Sequence, residues 1–267
     1  MVRDARISLP GLDLTHRNVV VIPLKMLEPT VGHEVDGIIG SRLFDDFVVA
    51  VDCEHRRLSL YAPGKYEPSG NATALPIFVD SHDAHHLPPP TMKLLEEPGT
   101  STGGTTRSRD GRADEISIGP YSVKDPPITF GQDTEGLMAA KDHAGLIGAE
   151  FLERFTVVFD NPGKRLFLTP NQHYNDIAGY DGSGLRMHAE GPDFHRFVVM
   201  RTTPRSPATE AGINPGDVIE SIDDRPANQL TLTEIRNMLR RADARYKIDI
   251  TRGNSHLRVT LKLQPVI

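Results

Sequence analysis

The chain has 267 residues and a formal net charge of −6, enough length for two or three small domains that each bury a core. Its acidic balance offers no basic footprint for a nucleic acid, and no run of about eighteen apolar residues marks a membrane-spanning helix. The opening Met1-Val-Arg-Asp-Ala-Arg6 does not read as a signal peptide, and the single Cys53 forbids an internal disulfide.

In chain order, Arg6–Leu9 and Val19–Ile22 are predicted as strands around a Pro10-Gly11 turn. The chain then contains one pattern twice. Asp36–Ala62 reads DGIIGSRLFDDFVVAVDCEHRRLSLYA, and Ala144–Pro170 reads AGLIGAEFLERFTVVFDNPGKRLFLTP. Gly37, Ile39, Gly40, Phe47, Val49, Asp52, Arg57, Leu58 and Leu60 recur at an offset of 108, from Gly145 to Leu168. Each copy predicts an apolar pair ending in Gly, one helical turn (Ser41–Asp46, Ala149–Arg154), a Val- and Phe-rich strand, a tight turn and a return strand. Gly40 and Gly148 are expected where backbone passes close to a neighbour or takes positive φ.

Between and after the copies, Lys65–Thr73 reads as a linker and Leu75–Val79 as a short strand. Pro88-Pro-Pro90 breaks regular structure, and Gly99–Thr105 reads as a flexible loop able to act as a flap. Strands at Glu115–Ile118 and Ile128–Phe130 extend the repeat upstream of its second copy. Asn171–Gly182 is a second linker. Beyond it come strand patterns at Leu185–His188 and Arg196–Met200, then Ser206-Pro-Ala-Thr-Glu-Ala-Gly-Ile-Asn-Pro-Gly-Asp-Val-Ile219. Thr231 with Glu234 forms a capping box for a helix over 232–240, whose Leu232, Ile235, Met238 and Leu239 make an apolar stripe. Tyr246–Thr251 and His256–Leu263 alternate as strands.

Two resemblances follow. The paired Asp36-Gly-Ile-Ile-Gly40 and Gly145-Leu-Ile-Gly148, each followed by a Phe-x-Val-x-x-Asp strand and a basic-Leu-x-Leu strand, resemble bacterial retropepsin-like aspartic proteases. The Ser206–Ile219 signature and its flanks resemble a bacterial-type PDZ domain. Together they imply a mainly β chain: two retropepsin-like closed-barrel lobes, the first incomplete (1–64) and the second over 72–171, then a small α+β PDZ domain over 180–264.

The first resemblance implies that Ile38, Ile39 and Gly40, and Leu146, Ile147 and Gly148, flank an active site built from two Asp-Thr/Ser-Gly loops that share a proton. No such tripeptide occurs in the chain. The nearest candidates are Asp80 and Ser81, with His82 where the family carries Gly. The first lobe's equivalent would precede Met1, so a missing N-terminal segment or a homodimer pairing two Asp80 loops would have to supply the second carboxylate. As it stands the chain is expected to be inactive. Asp133-Thr-Glu-Gly136 is misplaced for the role. Gly99-Thr-Ser101-Thr-Gly103 lacks the strand and helix of a nucleophile elbow. His82, Asp83, His85 and His86 read as a solvated loop rather than a metal site, and no cofactor is expected.

The second resemblance implies a peptide groove. Its parts are the loop Gly182, Ser183 and Gly184, the strand residues Leu185 and Met187, and Leu232, Ile235 and Leu239 of the helix. The implied partner is a polypeptide substrate or a peptide C-terminus, with no nucleic acid and no membrane span. A non-catalytic peptide-binding protein that works through this groove alone is the alternative function. Relatives of the protease family are often exported, whereas this chain shows no export signal, and the compartment stays open.

Overall fold

The computed structural model describes residues 2–9, 11–77, 94–101, 104–132, 146–177 and 179–267. They divide into two compact units, the first of Met1–Ile38, Gly184–Met238 and Arg245–Lys262, the second of Ile39–Ser183, Leu239–Ala244 and Leu263–Ile267. The first unit begins with a hairpin, β1 (Val2–Leu9) and β2 (Leu12–Val19), and a single helical turn, α1 (Glu28–Val31). The second strand therefore starts directly after Gly11 rather than at Val19. Gly11 takes φ +80, which lets a tight turn close at once. Val20, Val21 and Ile22 are exposed and outside any strand.

The second unit carries the duplication. Its first copy is α2 (Arg42–Asp46), β3 (Val48–Asp52) and β4 (Arg57–Tyr61). Then come β5 (Thr73–Pro76), the hairpin β6 (Leu95–Ser101) and β7 (Gly104–Arg112), the short β8 (Glu115–Ile118) and β9 (Tyr121–Lys124), and β10 (Pro127–Gly131). The second copy is α3 (Ala149–Leu152), β11 (Phe155–Asp160) and β12 (Arg165–Pro170). Gly99–Ser101 thus lies within a strand of a hairpin rather than in a free loop.

The two copies share one five-stranded sheet in the order β4-β3-β11-β12-β5. Ala50 faces Val158, its own counterpart in the repeat. Val49 faces Phe159 and Val51 faces Val157, so each residue meets the counterpart of the other. This is the pairing of a local two-fold axis through Ala50 and Val158, the same self-complementary geometry that joins symmetric dimers. The expected closed barrels are not what forms among the described residues. Each hairpin spends the edge of its first strand on its counterpart, so the sheet is continuous and open across the copies rather than closed within each lobe.

The central strands of that sheet are covered on both faces, which explains why β3 and β11 read as near-continuous apolar runs. On one face Phe151, Phe155, Val157 and Leu168 pack with Val123. Tyr121 and Tyr174 set their rings 5.1 and 5.4 Å from Phe155. On the other face Val48, Ala50, Val158 and Phe167 pack under Tyr66. Fully burying a Phe or Leu side chain is worth about 1.5–3 kcal/mol, so these clusters outweigh any single polar contact in the unit.

The turns repeat as faithfully as the strands. Arg56 and Lys164, one offset apart, both take left-handed φ, of 52 and 54. In each copy the aspartate closing the first strand accepts a turn amide: His55 N donates to Asp52 at 3.0 Å, and Gly163 N to Asp160 at 2.9 Å. Asp160 is buried and also takes Arg165 through Nη2 at 2.6 Å and Nε at 3.1 Å. A Cβ at Gly163 would lie 2.2 Å from Asp160 Oδ2. The buried Arg154 donates from Nη1 to the carbonyls of Asp176 (2.6 Å) and Tyr174 (3.1 Å), pinning the linker after β12.

The first unit continues with β13 (Leu185–Glu190), β14 (Arg196–Thr202), α4 (Pro207–Glu210), β15 (Val218–Ile222), β16 (Arg225–Pro226), α5 (Leu232–Leu239), β17 (Arg245–Arg252) and β18 (Ser255–Lys262). The sheet runs β13-β14-β15-β17-β18, all antiparallel, with β16 added to β15. Leu185, Met187 and Ala189 alternate inward from β13, and Tyr246, Ile248 and Ile250 from β17.

Gly163→Ala is predicted to displace the Asp160 carboxylate from Arg165 and to lower unfolding stability by about 1–2 kcal/mol, a net lost charged hydrogen bond. The midpoint of urea unfolding followed by circular dichroism checks this, with an unchanged midpoint counting against the Asp160 turn.

Candidate functional site

The loop before β13 is held by its own polar groups. Asp181 accepts from Ser183 N at 2.7 Å and from the Ser183 hydroxyl. Gly182 N donates to Leu239 O at 2.9 Å, and Gly182 O accepts from Gln264 N at 3.1 Å. The N–H groups of Gly182 and Ser183 are therefore committed within the chain, and neither forms a nest open to a carboxylate. Gly184 takes φ +71, and a Cβ there would fall 2.4 Å from Ser206 Cβ, so this position requires glycine on both counts. Its carbonyl accepts Thr203 N at 2.8 Å. Leading out of this loop, β13 is the end strand of its sheet among the described residues.

The Ser206–Ile219 stretch builds a support beneath that sheet. Ser206 N donates to Thr209 Oγ1 at 2.9 Å, and Ala208 and Ile213 are fully buried. Asp217 is fully buried and accepts Arg252 Nε at 2.7 Å, Arg252 Nη2 at 2.8 Å and Asn214 N at 2.8 Å. Burial pushes the Asp217 carboxyl upward, but the Arg252 guanidinium and the Asn214 amide outweigh it and hold the group below its ordinary value. On the neighbouring strand the Arg258 guanidinium and the Ser221 hydroxyl lower Asp249 to about 2.

The helix α5 starts as its sequence dictates. Glu234 accepts Thr231 N at 2.7 Å while Thr231 Oγ1 accepts Glu234 N at 3.1 Å, a complete capping box. Leu232, Ile235 and Leu239 are each at most 1% exposed. Leu232, at the first turn, meets Gly32: a Cβ built on Gly32 would sit 2.8 Å from Leu232 Cβ. The approach of Gly32 escapes a sequence search for grooves. Its only local signal is Pro29 at the start and Gly32 at the end of a one-turn helix.

The apolar pairs of the duplicated loops are solvent-facing. Ile38, Ile39, Leu146 and Ile147 are 53–65% exposed. No atom lies within 4 Å of a Cβ built on Gly40 or Gly148, and neither takes positive φ. The expectation that these glycines permit a close approach does not hold among the described residues. Gly148 is instead extended, at the start of α3. Asp80 and Ser81 lie outside the described residues, as do His82, Asp83, His85, His86 and the Asp133–Gly136 stretch. Among the described residues no group of three or more His, Cys, Asp or Glu side chains is arranged to hold a metal, and no helix is long and apolar enough to cross a membrane.

Residues 198–264 match the PDZ domain family, so the C-terminal part of the chain is a PDZ domain. Over 96 residues, 33% of its length, the chain is 31% identical to carboxyl-terminal-processing peptidase 2, chloroplastic, of Arabidopsis thaliana, and the match spans 18% of that peptidase. Among solved structures, a photosystem II D1 C-terminal processing protease is 27% identical over 32% of this chain and 23% of its own, with a TM-score of 0.29. The HtrA3 PDZ domain, solved with a phage-derived ligand, is 22% identical over 31% of this chain and 83% of its own, with a TM-score of 0.27. These matches are to processing peptidases and a PDZ domain, not to aspartic proteases.

Because Asp217 and Asp249 are both held below the ordinary carboxylate range, their contribution to stability is present above about pH 4 and is lost as pH falls below it, for Asp249 toward about 2. Asp249→Asn is predicted to flatten that acid-side loss relative to the unchanged protein. Urea midpoints at pH 7 and pH 3 check it; equal slopes in both proteins would show that Asp249 carries none of the loss.

Proposed function

We propose that this protein binds the C-terminal end of a polypeptide by strand addition to β13, with the peptide's terminal carboxylate beside Gly184, past the amides of Gly182 and Ser183 that the chain itself has taken. The observation that carries this reading is the placement of β13. Among the described residues it is the end strand of the PDZ sheet and follows directly on a glycine loop, the arrangement from which a peptide backbone gains ladder hydrogen bonds. The similarity of this segment to part of a processing peptidase supports a role in peptidase-related protein recognition.

A second reading, aspartic-type ancestry of the duplicated unit, is supported by the local two-fold through Ala50 and Val158. Two equivalent hairpins paired in this way would bring two equivalent loops to one axis, which a shared-proton carboxylate pair needs. The catalytic candidate in this reading is Asp80 alone, and a single carboxylate cannot share a proton. Residues 1–267 by themselves are accordingly proposed to be inactive as an aspartic peptidase. Pepstatin-sensitive cleavage of an unfolded protein, abolished by Asp80→Asn, would contradict that.

Titrating a library of labelled peptides onto the full chain tests the first reading. Peptides with free carboxylates are predicted to bind with Kd on the order of micromolar, since a short strand contact leaves little surplus over ordering costs. Amidation should weaken binding by roughly tenfold, because hydrogen bonds to a charged group are worth about 1.5–3 kcal/mol. Equal binding of acid and amide forms would remove the loop from the account and leave strand addition alone, and no binding at millimolar concentration would refute both.

A further inference from the structure

The entrance to the proposed groove is already occupied. The turn α1 packs against β13, and Gly32, which ends it, lies against Leu232 at the first turn of α5. One five-residue stretch, Glu28–Gly32, therefore touches both elements between which a peptide would insert. Leu27, Pro29 and Val31 are half-buried there, whereas the chain on either side is largely exposed, including Val20, Val21, Met26 and His33. The turn is internally complete: Val31 N donates to Leu27 O at 3.0 Å and Gly32 N to Glu28 O at 2.7 Å. As a helical turn it cannot extend the sheet ladder, so it covers the site without supplying a peptide's backbone bonds.

From this placement we propose that Glu28–Gly32 is an intramolecular competitor that closes the PDZ groove and must leave before a peptide C-terminus enters. This inference rests on the peptide-binding reading above. Its exposed flanks contribute no strand, so the turn can lift away without breaking any sheet pairing. A groove that is open only a fraction of the time shows an affinity reduced by that fraction, and any partner that holds α1 elsewhere would raise it.

Gly32 provides the test, because a side chain there is doubly opposed. It has φ +82, and its Cβ would fall 2.8 Å from Leu232 Cβ. In the full chain, Gly32→Val should dislodge the turn and raise affinity for a free-carboxylate peptide about tenfold. Gly32→Asn tolerates the left-handed backbone but carries the same Cβ into Leu232, and should act in the same direction should the Val form fail to fold. Amide exchange across β17 verifies the fold in each variant. Wild-type affinity or weaker binding in folded variants would overturn the competitor while leaving the peptide-binding reading intact. Absence of peptide binding in the wild type and both variants would instead overturn that reading and the competitor with it.

Discussion

The pairing of Ala50 with Val158 is the contact on which the second unit depends. It is made by two copies of one sequence, each offering the same strand edge, and it consumes both edges at once. Everything around it follows from that choice. β4 and β12 are left to flank the pair, β12 takes β5 on its other side, and the apolar residues of both copies line both faces of one sheet. A first-strand edge left open in either copy would present unpaired backbone and invite association; duplication pairs these two edges with each other and leaves β4 and β5 at the ends of the sheet.

The PDZ domain is organised by different means. Its sheet is held by alternation, with β13 and β17 each sending every second residue inward, and by the Asp217–Arg252 pair at its base. A fully buried carboxylate is costly unless its lone pairs are taken, and here two guanidinium contacts and one backbone amide take them. This fixes the Ser206–Ile219 segment and leaves β13, at the end of the sheet among the described residues, as the strand proposed to receive a peptide. The same end strand is where α1 packs, so the proposed recognition and its proposed restraint meet on one element.

Much of this was legible in the sequence because periodicity and punctuation carry it. The offset of 108 located both hairpins and their turns, down to Arg56 and Lys164 sharing left-handed φ. The Thr231–Glu234 box and the Ser206–Ile219 signature placed the PDZ elements. What failed was tertiary. Strand partners are chosen by edges brought together from distant sequence, so open sharing between the copies replaced two closed barrels. A glycine pattern says that a close approach is allowed and not that it occurs, which is why Gly40 and Gly148 stand clear of the described residues while Gly32, in no recognised motif, lies against Leu232. The carboxylate loop was overestimated for a similar reason, since Asp181 and Leu239 had already claimed two of its N–H groups.

The proposed peptide recognition depends on β13 as the receiving strand. Amide exchange measured across the full chain, with and without a saturating free-carboxylate peptide, tests it most directly. Peptide should slow exchange in Leu185–Glu190 and speed it in Glu28–Gly32, as the turn is displaced and a new strand pairs. Bound peptide that leaves exchange in Leu185–Glu190 unchanged would contradict strand addition at this edge.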